Sequence, residues 1–289
     1  MNEPRSAASW DDGSERPDLH VSAPGWVVAV LRVIPLFVVL AIGLVATLVM
    51  LPLERLVAGE SRPITPTITR LVCIAALAIL GIGWRAKGVP MRGPGAVVAN
   101  HSSWLDIFVL NAPKRLYFVS KAEVRDWPGI GWLARATGTV FIRRDRREAA
   151  AQVGEFRRRL SLGHRLLFFP EGTSTDSRRV LPFKTTLFAA FFADGLRQNM
   201  WVQPVSVVYL APRGRDDRFY GWWGDMDLGP HLLAVLGAVR QGRVEIHYHD
   251  PVRVADFADR KMLAAHCEAA VRGPVLSALV QETVGSGGA

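Results

Sequence analysis

Cysteine is nearly absent: Cys73 and Cys267 are the only two in 289 residues. One pair makes no disulfide framework, and there is no CxxC and no Cys/His cluster at ligand spacing, so a structural zinc or other metal site is not expected. Lysine is almost as scarce. Lys87, Lys114, Lys121, Lys184 and Lys261 are the full set, and the formal net charge of +9 rests on arginine. There is no G-x-S-x-G element, the usual setting of a serine nucleophile, and no internal repeat. Charge is missing altogether from 33–53. A helix over that stretch would be about 31 Å long, enough to cross a hydrocarbon core. It lies too deep and runs too long for a simple cleaved signal.

The surplus of positive charge points to anionic partners such as phospholipid, phosphate ester or nucleic acid. The apolar runs and the lack of any recognisable binding motif exclude nucleic acid as a partner. Residues 1–25 are polar and read as a flexible tail. Residues 26–84 read as a membrane-anchoring helical segment. Within it, Pro63 and Pro66 divide 33–53 from a second apolar run, 71–84. That second run is short for a span, which leaves a hairpin in one leaflet, one span with an interfacial helix, or a core helix of the domain that follows. From residue 85 to 289, short apolar strands alternate with helical patterns. The fold class is therefore α/β, a central mixed sheet flanked by helices. The segment 219–233, with Tyr220, Trp222 and Trp223, suits either a membrane interface or a packed loop. His231 within it reads as structural, and Arg157, Arg158 and Arg159 read as a solvated helix face.

The densest chemistry is NHSSWLD at 100–106. On one helix His101 and Asp106 would point about 140° apart. They meet only if His101 sits in a loop after the strand at 96–99 and Asp106 in the first turn of the next helix. A carboxylate on an imidazole fixes its tautomer and makes it a usable general base. The same residues also form a capping box, with Ser103 at the N-cap and Asp106 at N3. Ser102 and Ser103 suit capping better than nucleophilic attack.

Three further blocks follow: GTVFIRR at 138–144, FPEGTST at 169–175 and VQPVSVVY at 202–209. In this order the four resemble the glycerolipid acyltransferase family, of the lysophosphatidic acid acyltransferase type, over roughly 85–250. Asn100, His101 and Asp106 match its first block. Gly138, Phe141, Ile142 and Arg144 match the second, with Arg143 where the family often has an acidic residue. Phe169, Pro170, Glu171, Gly172 and Thr173 match the third, and Pro204 the fourth.

The resemblance implies direct attack of a lysolipid hydroxyl on a thioester, with His101 as base and Asp106 as its orienting group. Acyl-CoA or acyl carrier protein would be co-substrate, with no resident cofactor. Arg144, Arg143 and Lys121 are candidates for a phosphate, and Lys184 for an anionic group. Glu171, Gly172 and Thr173 would contact the acceptor, or Glu171 would brace the His101 loop. The first expectation for the acceptor is 1-acylglycerol 3-phosphate. Lyso-ornithine lipid is the alternative, and an inactive membrane-binding relative is the non-enzymatic one. Membrane lipids are expected partners, at a bacterial inner membrane with the catalytic domain facing the cytoplasm.

Overall fold

Residues 95–99 are buried without interruption, as expected of a strand covered on both faces. They form the centre of an eight-stranded sheet in a computed structural model that describes residues 10–93, 95–127, 129–142, 149–193 and 195–286. In chain order the strands are β1 (Gly83–Lys87), β2 (Gly95–Ala99), β3 (Tyr117–Lys121), β4 (Val140–Ile142), β5 (Arg165–Phe168), β6 (Trp201–Leu210), β7 (Arg243–Tyr248) and β8 (Val252–Arg253). Their spatial order is β1-β7-β6-β2-β5-β3-β4, with β8 also on β6. Strands β2 to β6 are mutually parallel, whereas β7 and β8 run antiparallel to β6. The sheet is thus mixed, as the sequence predicts. All five parallel strands end at one edge, which is where ligands collect in such sheets.

The helices are α1 (Ala23–Ala58), α2 (Thr65–Leu80), α3 (Asp106–Asn111), α4 (Ile130–Ala136), α5 (Ala149–Ser161), α6 (Leu228–Gly237) and α7 (Arg260–Ser286). The chain at Thr185–Phe192 is 3-10 helix. Its three-residue period aligns Phe188 and Phe191, and both are buried. Helix α7 continues through Pro274. The Val271 carbonyl, just before that proline, accepts the Ser206 hydroxyl at 2.8 Å. Pro204 sits inside β6, between the β7 partner of Val205 and the β8 partner of Val202. Its missing N–H therefore falls at the break where β7 gives way to β8, a tolerated place for proline.

Ser22 caps α1, accepting the Gly25 N–H at 3.3 Å. The helix then runs for 36 residues and is long and apolar enough to cross a membrane. Most of its apolar side chains are exposed, Phe37, Ile42 and Val45 among them. A core helix of a soluble domain would bury that face. The buried carboxylate of Glu54 turns the chain back by accepting the Ile64 and Thr65 N–H groups at the start of α2. Helix α2 packs antiparallel on α1 and on its other side enters the core, with Ala76, Leu77 and Leu80 fully buried. It also meets α3, where Arg70 Nε donates to the Ala112 carbonyl at 2.9 Å. The second apolar run is thus largely a core helix, and its last residues, 83 and 84, belong to β1. Arg32 of α1 donates to the Leu236 and Ala238 carbonyls at 2.9 and 2.7 Å, at the end of α6. Helices α1 and α2 and the α/β body share a core.

Two other expectations change. Residues 10–22 are not a loose tail, because they are hydrogen-bonded and ion-paired to the body. Arg159 is buried, not solvated. It donates to the Gly138 carbonyl at 2.6 Å and lies over the Tyr117 ring at 4.4 Å.

Replacing Phe37, Ile42 and Val45 together by lysine should remove the protein from the membrane fraction. Each lysine costs about 2.5–3.5 kcal/mol at a helix centre in a bilayer, and none of the three native side chains is in the core. Flotation of expressed membranes tests this, with circular dichroism of the detergent-solubilised variant as the folding check. Wild-type flotation of the triple variant would contradict membrane insertion of α1.

Candidate active site

The loop between β2 and α3 folds around one carboxylate. Asp106 is fully buried. Its Oδ2 accepts the His101 Nδ1–H at 2.7 Å and the Ser102 and Ser103 N–H groups at 2.9 and 3.1 Å. Its Oδ1 accepts the Tyr209 hydroxyl at 2.7 Å. Burying a carboxylate is tolerated when its lone pairs are filled, and here they are. The capping and orienting roles that the sequence sets against each other belong to the same side chain. Ser103 contributes its N–H to this capping, while its hydroxyl is buried without a partner. Ser102 and Ser103 are inaccessible as nucleophiles.

With Nδ1 donating to Asp106, the His101 proton is placed and Nε2 presents its lone pair. Nε2 has no hydrogen-bond partner among the described residues, and the side chain is 25% exposed. The ring stacks on Phe169 at 4.0 Å and 10°, which fixes its plane. An imidazole so held can accept a proton from a hydroxyl brought to Nε2.

Asn100 sets the base of this loop. Strand β6 overshoots β2, and the Asn100 side chain continues the pairing where the β2 backbone has turned away. Its Oδ1 accepts the Val207 N–H at 2.7 Å and its Nδ2 donates to the Val207 carbonyl at 2.9 Å. The overshoot carries Tyr209 above Asp106. Burial and the adjacent carboxylate push the Tyr209 phenol well above its ordinary value, so it remains a donor. Sequence reasoning misses Tyr209. The only signal is a lone tyrosine at the end of an otherwise apolar strand.

From β5, the 169–175 turn locks the loop from the other side. Glu171 is 1% exposed. One oxygen accepts the His101 N–H at 2.7 Å and the other the Leu181 N–H at 2.6 Å. Both are committed, so Glu171 braces the His101 loop and does not line an open acceptor surface. Burial pushes its carboxyl up to about 8, against the two backbone donors that pull it down. Gly172 turns the chain at φ 73°, a conformation that favours glycine. Thr175 N–H donates to the His101 carbonyl at 2.9 Å. Thr173 is half-buried, and its hydroxyl accepts the Trp10 N–H at 3.2 Å.

Lys121 ends β3 in register with Ile142, the last residue of β4. Arg143 and Arg144 come next in the chain and lie outside the described residues. Lys184 is exposed, and its N–H donates to the Pro170 carbonyl at 2.9 Å, closing the far side of the Glu171 turn. His231 is structural: Nδ1 accepts the Trp104 indole N–H at 2.9 Å and Nε2 donates to the Phe219 carbonyl at 3.1 Å. Burial lowers it to about 4. Phe219, Tyr220 and Trp223 are packed inside, so this part of 219–233 is core, and 228–237 is helix α6. Among the described residues no cluster of His, Cys, Asp or Glu is arranged to hold a metal ion.

A buried carboxylate orienting a partly exposed imidazole, at the edge where the parallel strands of the mixed sheet end, is the arrangement of an acid–base enzyme. Residues 85–208 match the family described as Acyltransferase. A lyso-ornithine lipid O-acyltransferase of Rhodobacter capsulatus is 56% identical over 263 residues, covering 91% of this chain and 95% of that protein. A 1-acyl-sn-glycerol-3-phosphate acyltransferase of Neisseria gonorrhoeae is 30% identical over 69% of this chain and 77% of that protein. The fold matches the crystal structure of the 1-acyl-sn-glycerophosphate (LPA) acyltransferase PlsC from Thermotoga maritima with a TM-score of 0.60. That match spans 87% of this chain and 96% of the other, at 22% identity. The chain belongs to the acyltransferase family, and within it to the O-acyltransferases of lysolipids.

Two outcomes follow from the geometry. Tyr209→Phe removes one charge-assisted bond from a buried carboxylate. It should lower stability by about 1.5–3 kcal/mol and reduce turnover less than Asp106→Asn, which disturbs the imidazole tautomer itself. Chemical denaturation and kcat of both variants check the order. The second concerns pH. Because burial raises Glu171 in the folded state, the stability linked to its protonated form is fully present below about 4.5, the ordinary glutamate value. It is lost as pH rises through about 8. The melting temperature should fall across that window, and Glu171→Gln should flatten the slope. An unchanged slope in the variant would remove Glu171 as its source.

Proposed function

We propose that this enzyme transfers a fatty acyl group from a thioester, acyl-CoA or acyl carrier protein, to the free hydroxyl of lyso-ornithine lipid. What carries the acceptor assignment is the 56% identity to a lyso-ornithine lipid O-acyltransferase across 95% of that relative's length. The first expectation, 1-acylglycerol 3-phosphate, has the more distant support of a 30% identical relative.

His101 Nε2 takes the hydroxyl proton as the oxygen attacks the thioester carbonyl. Asp106 stabilises the imidazolium that forms. The tetrahedral adduct collapses with loss of the thiolate, and the proton on His101 passes to that sulfur. The products are an ester and a free thiol, with no acyl-enzyme. Phe169 and the Glu171 brace keep the ring and its loop still through the cycle, so little reorganisation is needed at the moment of transfer. On this reading the α/β body faces the cytoplasm, where thioester donors are made, and α1 holds it against the lipid that carries the acceptor. Lys121, Arg143, Arg144 and Lys184 supply positive charge for the donor or for anionic parts of the acceptor.

The test is an assay of the purified full chain with one acyl donor against a panel of lysolipids. Wild type should acylate lyso-ornithine lipid with the highest kcat/KM. His101→Ala should abolish transfer while the protein remains folded and membrane-bound. Arg144→Ala should cost about ten- to a hundredfold on an acceptor whose phosphate it binds and less on lyso-ornithine lipid. A wild-type preference for 1-acylglycerol 3-phosphate would overturn the acceptor assignment, and normal turnover by folded His101→Ala would overturn the mechanism.

A further inference from the structure

Residues 10–20 form neither helix nor strand, yet they bridge the two loops that hold the catalytic segment. One is 173–179, whose Thr175 N–H grips the His101 carbonyl. The other is 215–225, whose Trp222 N–H donates to the Ser102 carbonyl at 2.9 Å. On the first loop, Trp10 donates its N–H to Thr173, and its ring lies under the Arg179 guanidinium at 4.7 Å. Arg179 also pairs with Asp12 at 3.0 Å and Asp176 at 2.8 Å. On the second loop, Arg16 pairs with Asp225 at 2.9 Å and with Asp11 of its own segment at 2.6 Å, and it lies 5.0 Å from the centre of the Trp223 ring.

Two details mark this junction as more than packing. The Ser177 hydroxyl and the Trp223 indole nitrogen are buried there without hydrogen-bond partners, and Ser177 has a φ of 64°. Non-glycine strain and orphaned donors concentrate where a site is built. The charge is also opposite to that of the chain. Against a net +9, residues 10–20 hold four carboxylates, Asp11, Asp12, Glu15 and Asp18, and one guanidinium, Arg16.

We propose that residues 10–20 are a strap that walls the acceptor-headgroup side of the active site and selects among acceptors. Trp10 is the positioning residue that fixes the strap to the Thr173 loop, and the carboxylates favour a headgroup bearing an ammonium over one bearing a phosphate dianion. The proposal rests on the lyso-ornithine lipid reading. Ornithine joined to lipid through one amide keeps one ammonium and one carboxylate, so it meets the mixed charges of the strap without net repulsion. A phosphate dianion meets a surplus of its own sign.

The experiment compares kcat/KM on lyso-ornithine lipid and on 1-acylglycerol 3-phosphate. It uses the full-length protein in vesicles with one acyl donor, for wild type, Asp11→Asn/Asp12→Asn, Trp10→Ala and Asp12→Glu. Neutralising both aspartates removes two negative charges, leaves Arg16 paired with Asp225 and Arg179 with Asp176, and should lower the lyso-ornithine to phosphate selectivity ratio about tenfold. Trp10→Ala should shift the ratio in the same direction, and Asp12→Glu should keep it. Equal losses on both acceptors, the sign of a merely structural strap, would overturn the proposal, as would an unchanged ratio in both variants. Wild-type values judge the acceptor reading by themselves: activity on the phosphate acceptor alone would overturn that reading and the strap's role together. A wild type that prefers lyso-ornithine lipid, with a ratio no variant moves, would overturn the strap alone.

Discussion

The site depends on the desolvated carboxylate of Asp106. A charge with no water must be met by donors on every side. Here the donors are the imidazole, two backbone amides and a phenol. Each is useful only where the fold places it. The amides require the tight turn before α3, the phenol requires β6 to run past β2, and the imidazole requires its own backbone to be held by Glu171. A second buried carboxylate thus fixes the loop whose side chain the first one orients. The two acids do complementary work: one sets the ring, the other sets the strand of backbone from which the ring hangs.

The apolar N-terminal segment is not an appendage joined by a linker. Helix α2 carries core residues on one side and supports α1 on the other, and Arg32 ties α1 to the end of α6. Immediately before α1, residues 10–20 return to the Thr173 loop. The apolar helix is therefore flanked on both ends by chain that contacts the catalytic body. A tilt of α1 would be felt at the site from two directions.

What the sequence discloses and what it conceals divide along the range of the interaction. His101 and Asp106 are five residues apart, and their meeting follows from helix geometry and the buried strand before them. The apolar stretch at 33–53 is equally local, as are the alternating strands and helices. Tyr209 is not. Its partner lies 103 residues earlier, and nothing around position 209 distinguishes it from a core tyrosine. The same holds for Asn100, which bonds both the N–H and the carbonyl of Val207, and for residues 10–22, whose anchors lie as far as 209 residues away. Composition makes that segment look unattached because it has no apolar pattern of its own. Glu171 shows a subtler limit. Its block identifies it as important, but only the two short bonds to backbone amides distinguish a brace from a substrate contact.

The overshoot of β6 also has a consequence in time. A ribosome releases the chain from its N-terminus, so α1 and α2 emerge long before position 209 is made. Until β6 docks, Asp106 lacks its phenol, Asn100 has no strand to pair with, and the loop between them has no reason to leave water. The nascent enzyme completes its apolar N-terminal helices first and its site last. A chain arrested before β6 would already carry its apolar helices, its histidine and its aspartate, but without the partners that bury the carboxylate and hold the imidazole.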